Sequence, residues 1–238
     1  MEFRNDYEDT VRAESYAKLE FPGTYYLAFR DLPELIARYV AGKAALDFGC
    51  GTGRSTRFLK GLGFDTIGID ISPEMLAKAR QFDPSGDYQQ VGDGDLSLIN
   101  SHRFNLIFSA FTFDNIPSTA NKFKLFSEFK RLLSPNGGII NLVSTPDMYT
   151  HEWASFSTVD YPENVLAKDG DIVRIITTAV EDKRPVEDIV FSDRAYREVY
   201  HQAGLNIVHC HKPLARDDEP YDWINETKIA PWAIYVLK

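Results

Sequence analysis

The sequence predicts an α/β fold, a mostly parallel sheet with helices on both faces. Two observations carry that reading. Along most of the 238 residues, short apolar runs of strand length alternate with stretches of helical spacing. From Lys43 to Ser72 the chain reads strand, glycine loop, helix, strand, the unit that joins two parallel neighbours. Hydrophobic residues at 44% and aromatics at 13% supply enough apolar material for the core of a single domain, residues 1–238.

Residues 1–24 are polar and aromatic, with a short helix expected over Glu14 to Leu19 and broken by Pro22-Gly23. A longer helix is expected from Thr24 through Val40, where Leu27, Leu32, Leu35, Ile36 and Tyr39 recur near a spacing of 3.6 and Pro33 kinks or restarts it. Lys43 to Phe48 is the first strand, Gly49 to Gly53 a tight loop, Arg54 to Gly61 a helix, and Thr66 to Asp70 the second strand. Ser72-Pro73-Glu74 starts the next helix with a capping hydroxyl, a proline at the first position and an acid in the first turn.

Asp83 to Gly86 turns the chain into a third strand, Asp87 to Val91, which ends in Gly92-Asp93-Gly94-Asp95. The fourth strand is Arg103 to Ser109, with Ala110 and Phe111 at its carboxyl end. Ser118 to Leu133 is amphipathic, with Phe123, Phe126, Phe129 and Leu133 expected on the apolar face. Ser134 to Gly138 stops that helix and Ile139 to Val143 is the fifth strand. Ile172 to Val180 and Val186 to Phe191 have β character around a turn at 181–185, an inserted antiparallel hairpin. Ser192-Asp193 caps a helix through Ala203 that Gly204 ends; Asn206 to His211 and Ile229 to Leu237 complete seven core strands.

The glycine loop carries chemistry. Three glycines in Gly49-Cys50-Gly51-Thr52-Gly53 allow a sharp turn and a close approach of backbone N–H groups to a ligand. The helix that follows points its partially positive end at the same place. Asp70, about twenty residues past the first glycine, stands where an acid reaches both hydroxyls of a ribose. A nucleoside-bearing cofactor fits these features. The spacing is Gly-x-Gly-x-Gly with Asp47 two residues ahead of it, unlike the Gly-x-Gly-x-x-Gly of most dinucleotide sites.

Leu46-Asp47-Phe48-Gly49-Cys50-Gly51-Thr52-Gly53, followed by Gly68-Ile69-Asp70-Ile71-Ser72, resembles the first two motifs of the class I S-adenosylmethionine-dependent methyltransferases. The resemblance is specific over residues 43–143 and rests on topology elsewhere. It implies a Rossmann-like seven-stranded sheet whose last strand is antiparallel, with S-adenosyl-L-methionine as cofactor and S-adenosyl-L-homocysteine as product. It implies a cofactor seat built from Arg30, Asp47, Gly49, Gly51, Gly53, Asp70, Ile71, Met75, Asp93, Gly94, Ala110 and Phe111. In that seat Asp93 holds the adenine amino group and the Gly94 N–H meets a ring nitrogen. Residues 1–42 become a helical lid, 43–144 the cofactor-binding core, 145–191 an acceptor-side insertion with the hairpin, and 192–238 the end of the sheet. Asn105 departs from the family's Phe-Asp pair, and Asn136 adds a residue to its Leu-x-Pro-Gly-Gly turn.

A net charge of −9 argues against a nucleic-acid surface, which would need a basic stripe, and suits a cationic sulfonium. Two cysteines, a start at Met1 without signal-peptide character and no apolar run near the roughly 18 residues of a membrane span predict a reduced, cytoplasmic protein, monomer or homodimer. Cys50 has no base beside it and reads as packing. His209 and His211 share a strand face without a third ligand, so no metal is expected.

Methyl transfer is an in-line displacement in which positive charge at sulfur is lost. Holding the acceptor in line therefore supplies most of the gain, with effective molarities on the order of 10⁵ M or more. An amine needs only to arrive unprotonated, whereas a hydroxyl gains from a general base. Asp114, Asp147, Tyr149 and His151 follow strands four and five, and His151 leads because its ordinary pKa lies near neutrality. Tyr16, Phe113 and Trp153 are the candidates for acceptor contact, with core packing as their alternative. The expected activity is methylation of an N or O atom of a small, aromatic or heterocyclic acceptor. A non-methyl-transfer role for a cofactor-binding protein of this fold, and methylation of a macromolecule, stay open beside it. The glycine spacing and Asp93-Gly94 speak against a nicotinamide-dependent dehydrogenase.

Overall fold

The computed structural model describes residues 22–92 and 94–238. Its strands are β1 (Ala44–Phe48), β2 (Asp65–Asp70), β3 (Asp87–Gln90), β4 (Phe104–Ala110), β5 (Leu133–Ser144), β6 (Phe156–Ser157), β7 (Ile172–Thr177), β8 (Val186–Ile189), β9 (Ile207–His211) and β10 (Trp232–Leu237). The helices are α1 (Thr24–Arg30), α2 (Leu32–Tyr39), α3 (Arg54–Gly61), α4 (Pro73–Phe82), α5 (Thr119–Leu132) and α6 (Asp193–Gln202).

Seven strands form one sheet in the order β3-β2-β1-β4-β5-β10-β9. Strands β1 to β5 pair in parallel, and β10 runs antiparallel to both β5 and β9. The chain builds outward from β1 through β2 to β3, then returns to place β4 on the other side of β1. That reversal leaves a crevice beyond the carboxyl ends of β1 and β4, where open α/β sheets bind ligands. From Leu106 onward the side chains of β4 alternate: Leu106 and Phe108 enter a core with α1, α2 and α3, while Ile107 enters a second core with α5 and α6, which Phe104 joins from across a register irregularity. The sheet is thus covered on both faces, as its fold class requires.

The helix starts follow the sequence. Ser72, Ser118 and Ser192 each accept a backbone N–H three residues on. The single helix expected over Thr24 to Val40 is instead two, separated at Asp31; Pro33 lies in the first turn of α2, where its missing N–H has no intrahelical partner to lose. On α5 the inward stripe is Lys122, Leu125, Phe126, Phe129 and Leu132, and Phe123 is 39% exposed. Spacing of three and four residues from Lys122 defines that stripe, and Phe123 falls outside it. Strand β5 starts early: Leu133 already pairs with Phe104, a bulge follows, and Gly138 resumes the ladder against Leu106.

The inserted hairpin is β7 against β8, and the two-residue β6 pairs with β7 to make a separate three-stranded sheet. Strand β10 begins at Trp232, just past Pro231, which has no N–H to give a ladder. The helix expected over Glu14 to Leu19 lies outside the described residues. Among the described residues no helix is long and apolar enough to cross a membrane, and no cluster of His, Cys, Asp or Glu has metal-site geometry.

Candidate cofactor cleft

Beyond the carboxyl ends of β1, β2 and β4 lies a cleft of about 290 Å³, near the lower end of ligand-site volumes. Its floor is the glycine loop. Gly49 has φ 68°, and a Cβ there would stand 2.2 Å from Thr112 Oγ1. The Thr112 hydroxyl in turn donates to the Phe48 carbonyl at 3.1 Å, so the chain after β4 closes directly onto the end of β1. Gly51, φ 53°, turns its N–H to Asp70 Oδ2 at 2.8 Å.

Asp70 ends β2, and the Ser72 N–H donates to its other oxygen at 2.9 Å. Each oxygen so holds one backbone N–H and keeps acceptor capacity. Burial pushes the carboxyl above its ordinary value, against the pull of the Ser72, Gly51 and Ile71 amides. A partly desolvated carboxylate with spare lone pairs at the end of the second strand calls for hydroxyl donors. Ile71, Met75, Val91 and Leu125 line the cleft with apolar surface suited to a flat base.

Phe111 lines the cleft at the end of β4 with φ 64°, a left-handed conformation that is strained for an aromatic residue. It is held there on all sides. Its N–H donates to the Leu142 carbonyl at 2.8 Å, and its own carbonyl accepts from the Asp114 N–H at 3.1 Å and from Asn115 Nδ2 at 3.3 Å. Its ring packs against Trp232 at 4.8 Å and edge-on to Tyr25 at 5.7 Å.

Of the residues predicted for the cofactor, Gly49, Gly51, Asp70, Ile71, Met75, Gly94, Ala110 and Phe111 line this cleft. Asp47 lies behind the loop: it is fully buried, and Ser55 Oγ and Thr56 Oγ1 donate to its Oδ2 at 2.7 and 2.6 Å. Its Oδ1 is buried without a partner, and burial pushes the carboxyl up to about 6. It anchors the start of α3. Gly53 also lies outside the lining, and the position of a Cβ there is taken by Tyr88 Oη at 2.5 Å. Arg30 is turned elsewhere: its guanidinium bonds Asp31 at 2.7 and 2.8 Å, Glu219 at 2.6 Å and the Leu214 carbonyl at 3.1 Å. Asp93 and Tyr16 lie outside the described residues.

None of the four candidate bases, Asp114, Asp147, Tyr149 and His151, lines the cleft. Asp114 is buried behind its wall, where Oδ2 accepts from Ser144 N at 3.0 Å and Ser144 Oγ at 2.8 Å, and burial pushes its carboxyl up to about 6. Tyr149 is buried and donates its hydroxyl to Asp188 Oδ2 at 3.2 Å, with burial raising its pKa far above the ordinary value. His151 is half-buried, with Nδ1 3.1 Å from the Asp147 carbonyl and 3.1 Å from Thr150 Oγ1. Phe113 and Trp153 are core residues. Phe113 stacks on Phe126 at 4.3 Å, and the Trp153 indole N–H donates to the Met148 carbonyl at 2.9 Å. Thr112 and Asn115, in the run from Phe111 to Pro117 that the sequence places beyond the strand ends, also line the cleft, and so do Asn121 and Lys124, which the sequence reading did not single out. Their signal was position: they belong to the stretch that follows the end of β4.

These residues fit S-adenosylmethionine, with a ribose acceptor at Asp70, an apolar slot beside it and a backbone cradle at Gly49 and Gly51. Comparison with known proteins agrees. A family model described as a methyltransferase domain matches residues 46–141. A ubiquinone biosynthesis O-methyltransferase of Thiobacillus denitrificans is 27% identical over 128 residues, covering 50% of this chain and 54% of that one. The chain spans about half the length of the relatives it matches. Among solved structures, the CcbJ methyltransferase of Streptomyces caelestis superposes with TM-score 0.67 at 18% identity, covering 95% of each chain. An S-adenosylmethionine-dependent methyltransferase of Mesorhizobium loti gives TM-score 0.64 at 19% identity, covering 88% of this chain and 97% of that one. Residues 46–141 thus match a methyltransferase domain, set in a sheet with the fold of the S-adenosylmethionine-dependent methyltransferases.

Proposed function

We propose that this protein moves a methyl group from S-adenosylmethionine to an N or O atom of a small-molecule acceptor. The carrying observation is Asp70, a carboxylate at the end of β2 whose two oxygens are each steadied by one backbone N–H and left able to accept more. In this reading Asp70 holds the ribose hydroxyls, Ile71 and Met75 flank the adenine, and the Gly49–Gly51 backbone passes the amino-acid portion. The cofactor supplies the electrophilic methyl carbon. The chain's own part is to orient the acceptor and to keep water away, which favours in-line attack without a large electrostatic contribution.

Phe111 would wall the cleft on the acceptor's side, its ring fixed by Tyr25 and Trp232. An aromatic wall suits a flat acceptor. The net charge of −9 opposes a polyanionic substrate such as RNA. The relatives named as O-methyltransferases support oxygen as one acceptor atom. Residues 145–191 and the N-terminal segment would enclose the acceptor as the lid.

The test has two arms. Calorimetric titration with S-adenosylmethionine, S-adenosylhomocysteine and NADH should give micromolar binding of the first two alone. A panel of small amines, phenols and heterocycles, followed by S-adenosylhomocysteine release, should then identify an acceptor class. Methyl transfer to protein or RNA only, or binding of NADH in place of the sulfonium, would overturn the reading.

A further inference from the structure

Lys122 occupies a place on α5 where the helical period asks for an apolar side chain, and it is 0% exposed. Its ammonium donates to the Phe113 carbonyl and lies over the rings of Phe191 at 4.8 Å, Tyr196 at 5.5 Å and Phe113 at 5.8 Å. The carboxylates of Asp114 and Asp188 favour its charge, while burial acts against it and brings the amine down to about 8. A desolvated ammonium is expensive unless it is paired and hydrogen-bonded, and replacing such a group by a hydrophobic one is often neutral or stabilising. Stability alone is therefore a poor reason for a lysine here.

Its partners come from separate parts of the fold. Phe113 and Asp114 belong to the short 3₁₀ turn Thr112–Asn115, Asp188 to β8 of the inserted sheet, and Tyr196 to α6. Asp114 reaches Ser144 at the end of β5, and Asp188 accepts from Tyr149. The same turn continues from the strained Phe111, and Phe111, Thr112 and Asn115 wall the cleft from its other side.

We propose that Lys122 is a positioning residue: its buried ammonium, bonded to the Phe113 carbonyl and set over the rings of Phe191 and Tyr196, fixes the 111–117 segment against both the cleft and the inserted sheet. The effect on cofactor affinity rests on the function proposed above; the effect on the segment does not.

The experiment compares the full-length protein with Lys122→Met, Asp188→Asn and the double variant Lys122→Met/Asp114→Asn. The readouts are amide hydrogen exchange, thermal unfolding and calorimetry with S-adenosylhomocysteine. In Lys122→Met, exchange at Asp114, Ile116 and Ser144 should accelerate about tenfold, the loss of one buried charge-assisted bond, while Leu46 and Phe48 in β1 stay protected. Affinity should fall by a similar factor in protein that still melts cooperatively. The double variant should recover part of both, because the Asp114 carboxylate no longer lies buried without its countercharge, while Asp188 keeps its bond from Tyr149. Asp188→Asn, which leaves the amine in place, should give the same local pattern more weakly and serves if Lys122→Met does not fold. Uniform acceleration across the sheet, or a lower melting temperature with unchanged exchange at 112–116 and unchanged affinity, would overturn the proposal. Wild-type protein that does not bind S-adenosylhomocysteine would sink the functional reading, and exchange would still decide the role of Lys122.

Discussion

The Thr24 hydroxyl donates to Glu226 Oε1 at 2.7 Å across 202 positions of sequence, and both side chains are fully buried. The same carboxylate accepts from the amides of Ala154 at 2.7 Å, Ile224 at 2.9 Å and Asn225 at 3.1 Å. The Thr24 carbonyl accepts the Trp232 indole N–H at 2.8 Å. One acid therefore joins α1, the insertion and the 212–231 loop, and β10 is tied in through Thr24. Glu226→Ala strands several buried donors and should destabilise the protein by at least about 2 kcal/mol in denaturant unfolding, with Glu226→Gln milder. Equal stability of the alanine variant would show that these donors find other partners.

Asp70→Asn keeps the shape of the side chain and removes its charge. Hydrogen bonds to a charged group are worth about 1.5–3 kcal/mol, so S-adenosylhomocysteine affinity should drop roughly tenfold to a hundredfold in calorimetry. The amide keeps one acceptor oxygen and turns its NH2 toward the other loop N–H, so a local loss of about 1–3 kcal/mol in denaturant unfolding should accompany the weaker binding. Undiminished affinity would move the ribose away from β2.

Gly49→Ala forces a Cβ to within 2.2 Å of Thr112 Oγ1 at a residue whose φ is 68°. Left-handed strain alone costs on the order of 1–3 kcal/mol, and Thr112 must withdraw as well. Thermal unfolding should register the loss. Gly61→Ala, where a Cβ meets nothing within 4 Å, should have little effect and is the control.

Asp47 gives a pH signature. Burial raises its carboxyl from 3.8 to about 6, with the Thr56 and Ser55 hydroxyls opposing and the charge of Asp70 adding to the rise. Because the folded pKa exceeds the unfolded one, the native state binds more protons between about pH 4 and 6, and stability declines as pH rises through that window. A rise of that size corresponds to about 3 kcal/mol, in full force above about pH 6. Asp47→Asn keeps an oxygen for both hydroxyls and should flatten this part of the curve, leaving the contribution of Asp114, which burial also brings to about 6. Denaturant unfolding from pH 4 to 7 would show it; curves that stay parallel would refute the assignment.

The sheet was legible in the sequence because its signals are local. The glycine loop, the acid ending β2 and the serine caps each depend on a few neighbouring residues, and the structure places them as expected. What escaped depends on distant partners. Arg30 was assigned to the cofactor, but its destination is set by Glu219, 189 positions away. Lys122 and Phe123 are adjacent, and hydrophobicity alone sends the wrong one inward; the Phe113 carbonyl and the rings of Phe191 and Tyr196, brought from other parts of the chain, receive the buried ammonium. Asp114, Tyr149 and His151 were selected by chemical type and by lying after strand ends. Burial and hydrogen bonding, which sequence spacing does not report, then set them away from the cleft. The 212–231 loop has no periodicity, so Glu226 gave no signal.

The position of β10 has a consequence for assembly. Its residues are the last to leave a ribosome among those of the sheet, yet they pair with β5 on one side and β9 on the other. Until they arrive, β5 presents an open edge of unpaired backbone groups and β9 has no neighbour to join. A nascent chain can thus close the cleft side of the sheet, β3 through β5, while its far side remains exposed to mispairing. The cleft belongs to the half of the sheet that needs no late strand, and the ribosome tunnel holds back only the half that seals it.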